Sequence, residues 1–571
     1  ARFADTPTSD RLDPQGQTVR IDAINVDAQN VRSILQTTLT VDVRGLTTAA
    51  VDPRLSATPG LHNMVALYDM QDRPIRVTRA DSGTELLLRD ALGETLHHWT
   101  ALGAHVETVY ETLIRRPERR LVTLKDAASA IEVARFTYGS DPATQSVNRL
   151  VLQHDQAGIE ATLAYDIGGR EISATRQFTQ SAVTPIDWTT SVPLQASIWP
   201  AGWRYDPDGR LLEQTCSDGS AITRSYYANG WLDRVTVTPA GAAAPNTIED
   251  GLRYEAGGGP VTARYGDGMN LAWSYDPLTG DLIAATATRI SDDARLQDLA
   301  YFYDPQGNVS SVVDDAAAAL MGGSAQPLIK DYTFDAIYRL TNATGFEAAQ
   351  ASPPWQAYTQ TISYDPGNNL VAVVGSAAEA ALTVSATSNH AVATSMLGHG
   401  GTVDGFFDAA GNLLSLADGT ALAYDFENRL TAVTPAAAPQ PNVRYCYGQD
   451  GLRLRKASAD ADIYHLGAAY IEAKGLSVRT SLLVPGAFGD TLFVTVDGTR
   501  LAPSYLITDR LSSVMLELGS DAEMQRYQDY YPYGPLSVSL APAPPDLPAR
   551  LGFSGKEHDG ETSLSYFGGR Y

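Results

Sequence analysis

One recurring unit limits what this chain can fold into. An aromatic residue is followed by Asp, by two turn residues, by Gly or Asn, and then by a return to apolar alternation through Leu. It appears at Tyr165-Asp166, Tyr205-Asp206, Tyr275-Asp276, Tyr303-Asp304, Phe334-Asp335, Tyr364-Asp365, Phe407-Asp408 and Tyr424-Asp425. Each part has a physical task. The aromatic ends a strand and stacks on a neighbour. The Asp carboxylate accepts backbone N–H groups and so caps the turn. Pro, where present, presets φ, and Gly or Asn takes the left-handed position. The Leu opens the return strand and points inward. Every unit is therefore a β-hairpin. The expected fold is all-β: a large sheet built of such hairpins.

Composition agrees. There are 48 Gly, 31 Pro and 28 Tyr, which suits turns and aromatic strands better than helices. A 571-residue chain exceeds one ordinary core. A repeat array avoids that limit, because each unit packs only on its neighbours. The net charge of −24 excludes a nucleic-acid or anionic-lipid partner, since both need a basic face. No apolar run approaches the roughly 18 residues of a membrane-spanning helix. Cys216 and Cys446 lie far apart in strand-like runs and read as two buried thiols.

Three segments are expected in series. Residues 1–38 are polar and weakly patterned, 39–500 hold the repeats, and 501–571 form a cap on the last open edge. Residues 104–135 carry more charge and suit a short helix or a long hairpin. Residues 317–327, 346–354, 376–401, 435–441 and 542–548 are rich in Ala, Pro or Gly and read as inserted surface connections. The cap contains Tyr505 to Val514, then Tyr530-Tyr531-Pro532-Tyr533-Gly534, then Arg550 to Asp559, then Ser565 to Tyr571. It stops in mid-pattern at Arg570-Tyr571, and the chain starts at Ala1. The expectation is a piece of a longer polypeptide, with its chemistry beyond Tyr571.

These units resemble the YD repeats of the Rhs family, and the ordered terminal set resembles the Rhs repeat-associated core. The matching positions are Asp509 to Ser513, Tyr530 to Gly534, Gly555-Lys556-Glu557-His558-Asp559 and Tyr566 to Tyr571. Arg510 and Ser512 stand where the family has His and Gly, His558 where it has Arg, Ser565 where it has an aromatic and Gly569 where it has Ala. The runs 296–304, 331–345 and 44–55 are more similar still to the C component of insecticidal Tc toxin complexes. The likeness covers roughly residues 35–571. It implies that the sheet of hairpins spirals into a hollow cocoon, a shell closed by the C-terminal core segment as a plug, followed by an autoproteolytic aspartyl site and a variable toxic enzyme held inside. It also implies a B component that completes the shell and an A-type channel reached through it. The cleavage carboxylates would follow Tyr571, so no catalytic residue transfers to this chain. Lys556 alone is tied to that site, as a lysine placed to lower a carboxyl pKa and hold a peptide carbonyl; the competing reading is a solvated turn lysine.

Other features carry less. Asp166, Asp206, Asp276, Asp304, Asp335, Asp365, Asp408 and Asp425 sit on separate turns, so they read as caps and not as paired hydrolytic carboxylates. His97-His98 lacks a Cys or carboxylate at ligand spacing and reads as a strand pair. Gly257–259 and 398–401 lack the strand-to-helix setting of a phosphate loop. Asp460 and Asp462 offer carboxylates for calcium but read as a surface turn. No metal and no cofactor is expected. The chain is expected to be a secreted bacterial toxin component that encapsulates its cargo and is not itself an enzyme. The alternative is a surface YD-repeat protein that binds carbohydrate or partner cells.

Overall fold

The same turn closes hairpin after hairpin. In the computed structural model, which describes residues 6–27, 30–320, 327–349, 355–398, 401–486, 490–541 and 551–571, the backbone N–H of Asp206 donates to Arg210 O at 3.0 Å, and Gly209 N–H returns to Asp206 O at 3.0 Å. Asp206 Oδ1 accepts Arg210 N–H at 2.8 Å, and Oδ2 takes the Arg210 Nε–H at 2.5 Å. Asp166, Asp335 and Asp425 repeat this with Arg170, Arg339 and Arg429. Asp304, Asp365 and Asp408 do it with Asn308, Asn369 and Asn412. Asp276 closes a turn one residue longer, to Asp281 O. All of these turns except that at Asp408 carry a register shift beside the aromatic residue, as between Arg204 and Tyr205, because the fourth residue of the turn is an extra one in the ladder.

The fourth residue needs positive φ, and Gly209 (90°) and Gly307 (85°) supply it without a Cβ penalty. Tyr338 (67°) and Ser512 (63°) take the same position with side chains attached. Consecutive turns are tied together. The ring hydroxyl of the aromatic donates to the carbonyl that opens the preceding return strand: Tyr226 to Leu211 O at 2.9 Å, Tyr303 to Leu282 O at 2.6 Å, Tyr364 to Leu340 O at 2.9 Å. The turn arginine then lies over the next aromatic ring, Arg170 over Tyr205 and Arg339 over Tyr364, both at 4.9 Å.

The fold is all-β, in long antiparallel ladders. Two compact units are built from interleaved segments. One comprises Ala1–Val133, Asp331–Thr344 and Tyr358–Pro441; the other comprises Ala134–Lys330, Gly345–Ala357 and Asn442–Tyr571. In the first, ten strands from Thr8–Leu12 to Pro117–Thr123 pair in chain order. Three of them lie in the segment read as weakly patterned, and pairing runs on across residue 38. Residues 104–135 hold the hairpin His105–Tyr110 with Pro117–Thr123, and its inward Val106 and Val122 pack on Phe426.

In the second unit one ladder runs from Ile131–Tyr138 to Val309–Asp314 and another from Val443–Tyr447 to Leu536–Leu540. Their facing sides share a core. Cys216, Ile222, Val235, Val237 and Ile248 meet Ala469, Leu482, Val484 and Phe493. Ala157 and Phe178 meet Cys446, Tyr464 and Ile471. Burying one such large apolar side chain contributes about 1.5–3 kcal/mol. Both cysteines are buried free thiols, and burial pushes each up to about 12.

Two readings change. Residues 376–401 are not a plain surface connection. They carry the strands Ala380–Val384 and Ala391–Ala393 and a 3-10 turn, because Asp404 accepts hydrogen bonds from Ser385, Thr387, Ser388 and His390 and draws the segment together. The start of the cap is not a separate non-repeating element. Ser504–Thr508 pairs with Asp490–Val496, and Asp509 closes a turn of the repeat type, with Leu511 and Ser513 N–H donating to its Oδ1. His399, Gly400, residues 542–548 and Arg550 lie outside the described residues, as do parts of the segments at 317–327 and 346–354.

Candidate functional site

Among the described residues, the last stretch forms a small sheet apart from the long ladders. Glu557–Asp559 and Leu564–Tyr566 form a two-stranded hairpin of their own. Alternation turns Glu557 and Asp559 to one side and His558 to the other, and the two carboxylates are buried while His558 is exposed.

Beneath them lies Arg453, on the strand Arg453–Ser458, with a side chain that is 0% exposed. Its Nη2 donates to Glu557 Oε2 at 2.5 Å and its Nη1 to Asp559 Oδ2 at 2.7 Å. Lys456 Nζ reaches Asp559 Oδ1 at 2.9 Å and Glu561 Oε2 at 3.1 Å. Tyr445 OH donates to Asp559 Oδ2 at 3.0 Å. The guanidinium sits 4.5 Å from the Tyr566 ring centre, with the rings of Tyr445 and Tyr571 at 5.5 and 5.7 Å. Tyr571 OH accepts from Arg453 Nη1 at 2.6 Å, and Tyr566 OH accepts the Arg453 backbone N–H at 3.0 Å.

The electrostatics follow from this packing. Burial alone would raise the Glu557 carboxyl; the His465 hydrogen bond at 2.9 Å and the Arg453 charge outweigh it and hold the group well below the carboxylate range. Burial lowers the His465 pKa despite Glu557, so the imidazole is neutral at neutral pH. Burial and the Asp559 charge keep the Tyr445 phenol protonated. Two carboxylates and two cations thus neutralise one another out of water. Such a cluster clamps the hairpin to the strand Arg453–Ser458.

The expected core residues fall in different places. Tyr566, Glu557 and Tyr571 join the cluster. Arg570 is exposed, and its carbonyl accepts Phe567 N–H at 2.8 Å. Tyr530 ends the strand Met524–Tyr530, while Asp509 and Tyr531 open the turns that follow their strands: Tyr530 OH donates to Val514 O at 2.9 Å and Tyr531 OH to Glu347 Oε2 at 2.6 Å. Pro532, Tyr533 and Gly534 form the next turn, where a Cβ on Gly534 would sit 3.2 Å from the Phe553 ring. Gly555 has φ 64° and would press a Cβ to 3.2 Å from Ser512 O. Lys556 lines a separate cleft of about 410 Å³ with Tyr533, Gly534 and Phe553. The lysine that meets two carboxylates is Lys456.

Sequence reasoning passed over Arg453, Lys456, Tyr445 and His465. The signal was present in Arg453-Leu454-Arg455-Lys456, a strand with charge on both faces. Arg510 and Ser512, which depart from the core pattern, are accommodated. Arg510 lies over Tyr303 at 5.5 Å, and its N–H donates to Tyr301 OH at 3.3 Å. His97 Nδ1 and His105 Nε2 stand 3.1 Å apart, His98 faces Glu85 at 3.6 Å, and Asp462 accepts from Arg455 at 2.6 Å. Among the described residues no three ligand-type side chains converge, and no helix is long and apolar enough to cross a membrane.

The family description "Tripartite Tc toxins repeat" matches residues 380–419, the segment gathered by Asp404. Toxin subunit YenC1 of Yersinia entomophaga is 27% identical across 93% of this chain and 61% of its own length. The chain is similar to Tc toxin C-type subunits. Toxin subunit YenC2 of the same organism is 25% identical across all of this chain and 67% of its own. The crystal structure of TcdB2-TccC3 superposes on this chain with a TM-score of 0.92 at 25% identity, over 100% of this chain and 30% of that one. The Photorhabdus luminescens Tc holotoxin pore gives 0.93 at 25% identity, over 100% and 29%. The chain therefore spans about three fifths of YenC1 and under a third of the solved chains.

Proposed function

We propose that this chain is the shell-forming part of a Tc-type C subunit, enclosing a cytotoxic C-terminal domain and carrying it to target cells. The observation that supports this best is the fold likeness to TcdB2-TccC3 along the full length of the chain. The physical rationale is that a sheet curled around its cargo shields a partly unfolded polypeptide from water, proteases and the producing cell. A B component completes the container, and an A-type channel receives the cargo through it. The assembly is secreted. This chain supplies no catalytic carboxylate of its own; cleavage chemistry belongs to residues following Tyr571, with Lys556 as their neighbour.

The test uses the natural full-length subunit co-expressed with its B partner. The expected result is two bands on a denaturing gel that co-elute under native conditions, with the smaller protected from trypsin until the shell is unfolded. A single uncleaved band, or a cargo digested as fast as the isolated domain, overturns the reading.

A further inference from the structure

The clamp beneath the terminal hairpin is more ordered than charge neutralisation requires. Tyr445 and Tyr447 are alternate residues of the strand Val443–Tyr447 and so share a face. Arg453 stands opposite Tyr447 and Lys456 opposite Tyr445, because the register shifts between Cys446 and Tyr447. A regular strand would send Arg453 and Lys456 to opposite faces. The shift brings them to one. There the side chain of Lys456 is 5% exposed and that of Asp559 is 0% exposed.

The contacts of Asp559 are divided between its two oxygens. Oδ1 faces Lys456 Nζ at 2.9 Å. Oδ2 accepts from two other donors, Arg453 Nη1 at 2.7 Å and Tyr445 OH at 3.0 Å. Lys456 Nζ also meets a second carboxylate, Glu561 Oε2, at 3.1 Å, and that side chain reaches solvent. An amine, a carboxyl carbon with two donors fixed on one of its oxygens, and a base open to water thus converge.

We propose that Lys456 and Asp559 condense into an isopeptide bond that fastens the terminal hairpin covalently to the strand Arg453–Ser458. The Lys456 ammonium first gives one proton to Asp559 Oδ1, leaving an amine beside a carboxylic acid; burial of both out of water favours this uncharged pair. The Nζ lone pair then attacks Cγ, and negative charge collects on Oδ2, where Arg453 and Tyr445 hold it. Glu561 takes a proton from the bound nitrogen and returns it to Oδ1. The Cγ–Oδ1 bond breaks and water leaves on the solvent side of Glu561. One carbon–nitrogen bond forms, one carbon–oxygen bond breaks, and an ammonium and a carboxylate vanish together, so no further reactant is needed. Fixed proximity drives the condensation, and exclusion of water from Asp559 opposes its reversal. The bond involves only the hairpin and its underlying strands, so it stands whether or not the chain encloses a toxin.

The experiment is peptide mapping by mass spectrometry of the natural full-length protein, denatured and digested with trypsin. The expected result is a branched peptide containing both Asp559 and an uncut Lys456, lighter by one water than the sum of its two parts. Separate peptides of unaltered mass, with the chain cut after Lys456, overturn the proposal and leave a clamp of charges. So does a loss of water confined to one linear peptide, as a cyclised aspartate would give. Lys456→Arg should yield no branched peptide. Glu561→Gln should slow its appearance in freshly refolded protein by about tenfold or more, with circular dichroism unchanged; an unchanged rate overturns the proton transfer assigned to Glu561. Should either variant not fold, the map of the unaltered protein decides by itself.

Discussion

Arg453 and Asp559 meet at 2.7 Å with neither side chain exposed. They belong to different elements, a strand of the second ladder and the terminal hairpin, so this contact fixes where the hairpin lies. A buried ion pair stabilises little over an apolar substitute, because desolvation cancels most of its attraction, but losing one partner strands the other charge out of water. Arg453 is therefore a position where a single change releases the whole hairpin.

Arg453→Met should destabilise the second unit by about 3–5 kcal/mol, because Glu557 and Asp559 both lose their cation. Urea unfolding measures the loss, and hydrogen exchange should rise first in 557–566. A change under about 1 kcal/mol would mean that Lys456 alone neutralises the pair.

Acid should first stabilise the protein and then destabilise it. Burial, with only weak opposition from the Met269 N–H, pushes Asp267 up to about 7. Burial pushes Asp490 up to about 6, and raises Asp314 to about 6 against its turn N–H groups and Lys330. The folded chain holds these protons where the unfolded chain has lost them, so stability grows as pH falls through these values. Glu557 and Asp404 work in the opposite sense. At Asp404 the hydroxyls of Ser385, Ser388 and Thr387 overcome burial and hold the carboxyl at about 2. Their contribution is lost once pH falls below about 4. Thermal unfolding from about pH 8 to about pH 3 should show a maximum between about 4.5 and 6. Asp267→Asn should flatten the alkaline side and add about 1–3 kcal/mol at about pH 8.

Tyr338→Asn should raise stability by about 0.5–1 kcal/mol, since Asn tolerates the left-handed position better than an aromatic residue does. Gly307→Ala, at the equivalent position, should lower it by about 1 kcal/mol or more. Melting temperatures of the two variants, moving in opposite directions, check both.

Tyr226→Phe removes only the hydroxyl that donates to Leu211 O. The expected loss is about 0.5–1.5 kcal/mol, with Arg210 still over the ring. A double-mutant cycle with Arg210→Met should give a coupling of about 0.5–1 kcal/mol between stacking and turn.

The hairpins follow from the order of residues alone. Aromatic, Asp, turn pair, Gly or Asn and Leu act within a few residues of one another, so local chemistry alone specifies the turn at Asp206 or Asp304 and the antiparallel strands on either side. Where residues 376–401 looked like a loop, the deciding group was Asp404, which gathers four donors that no short-range pattern exposes. The buried clamp was still less legible. Arg453 finds Glu557 104 residues away and Asp559 106 residues away, and nothing near Arg453 says that its charge faces inward. Only the stacking of one ladder on another, with the hairpin laid across it, removed water from that guanidinium. The terminal Gly555-Lys556-Glu557 run was recognisable as a motif, but its roles were settled by burial: Glu557 went inward to Arg453, and Lys556 turned toward a separate cleft. Local bonding chose the strands. Desolvation, a property of the assembled fold, chose which charges became structure.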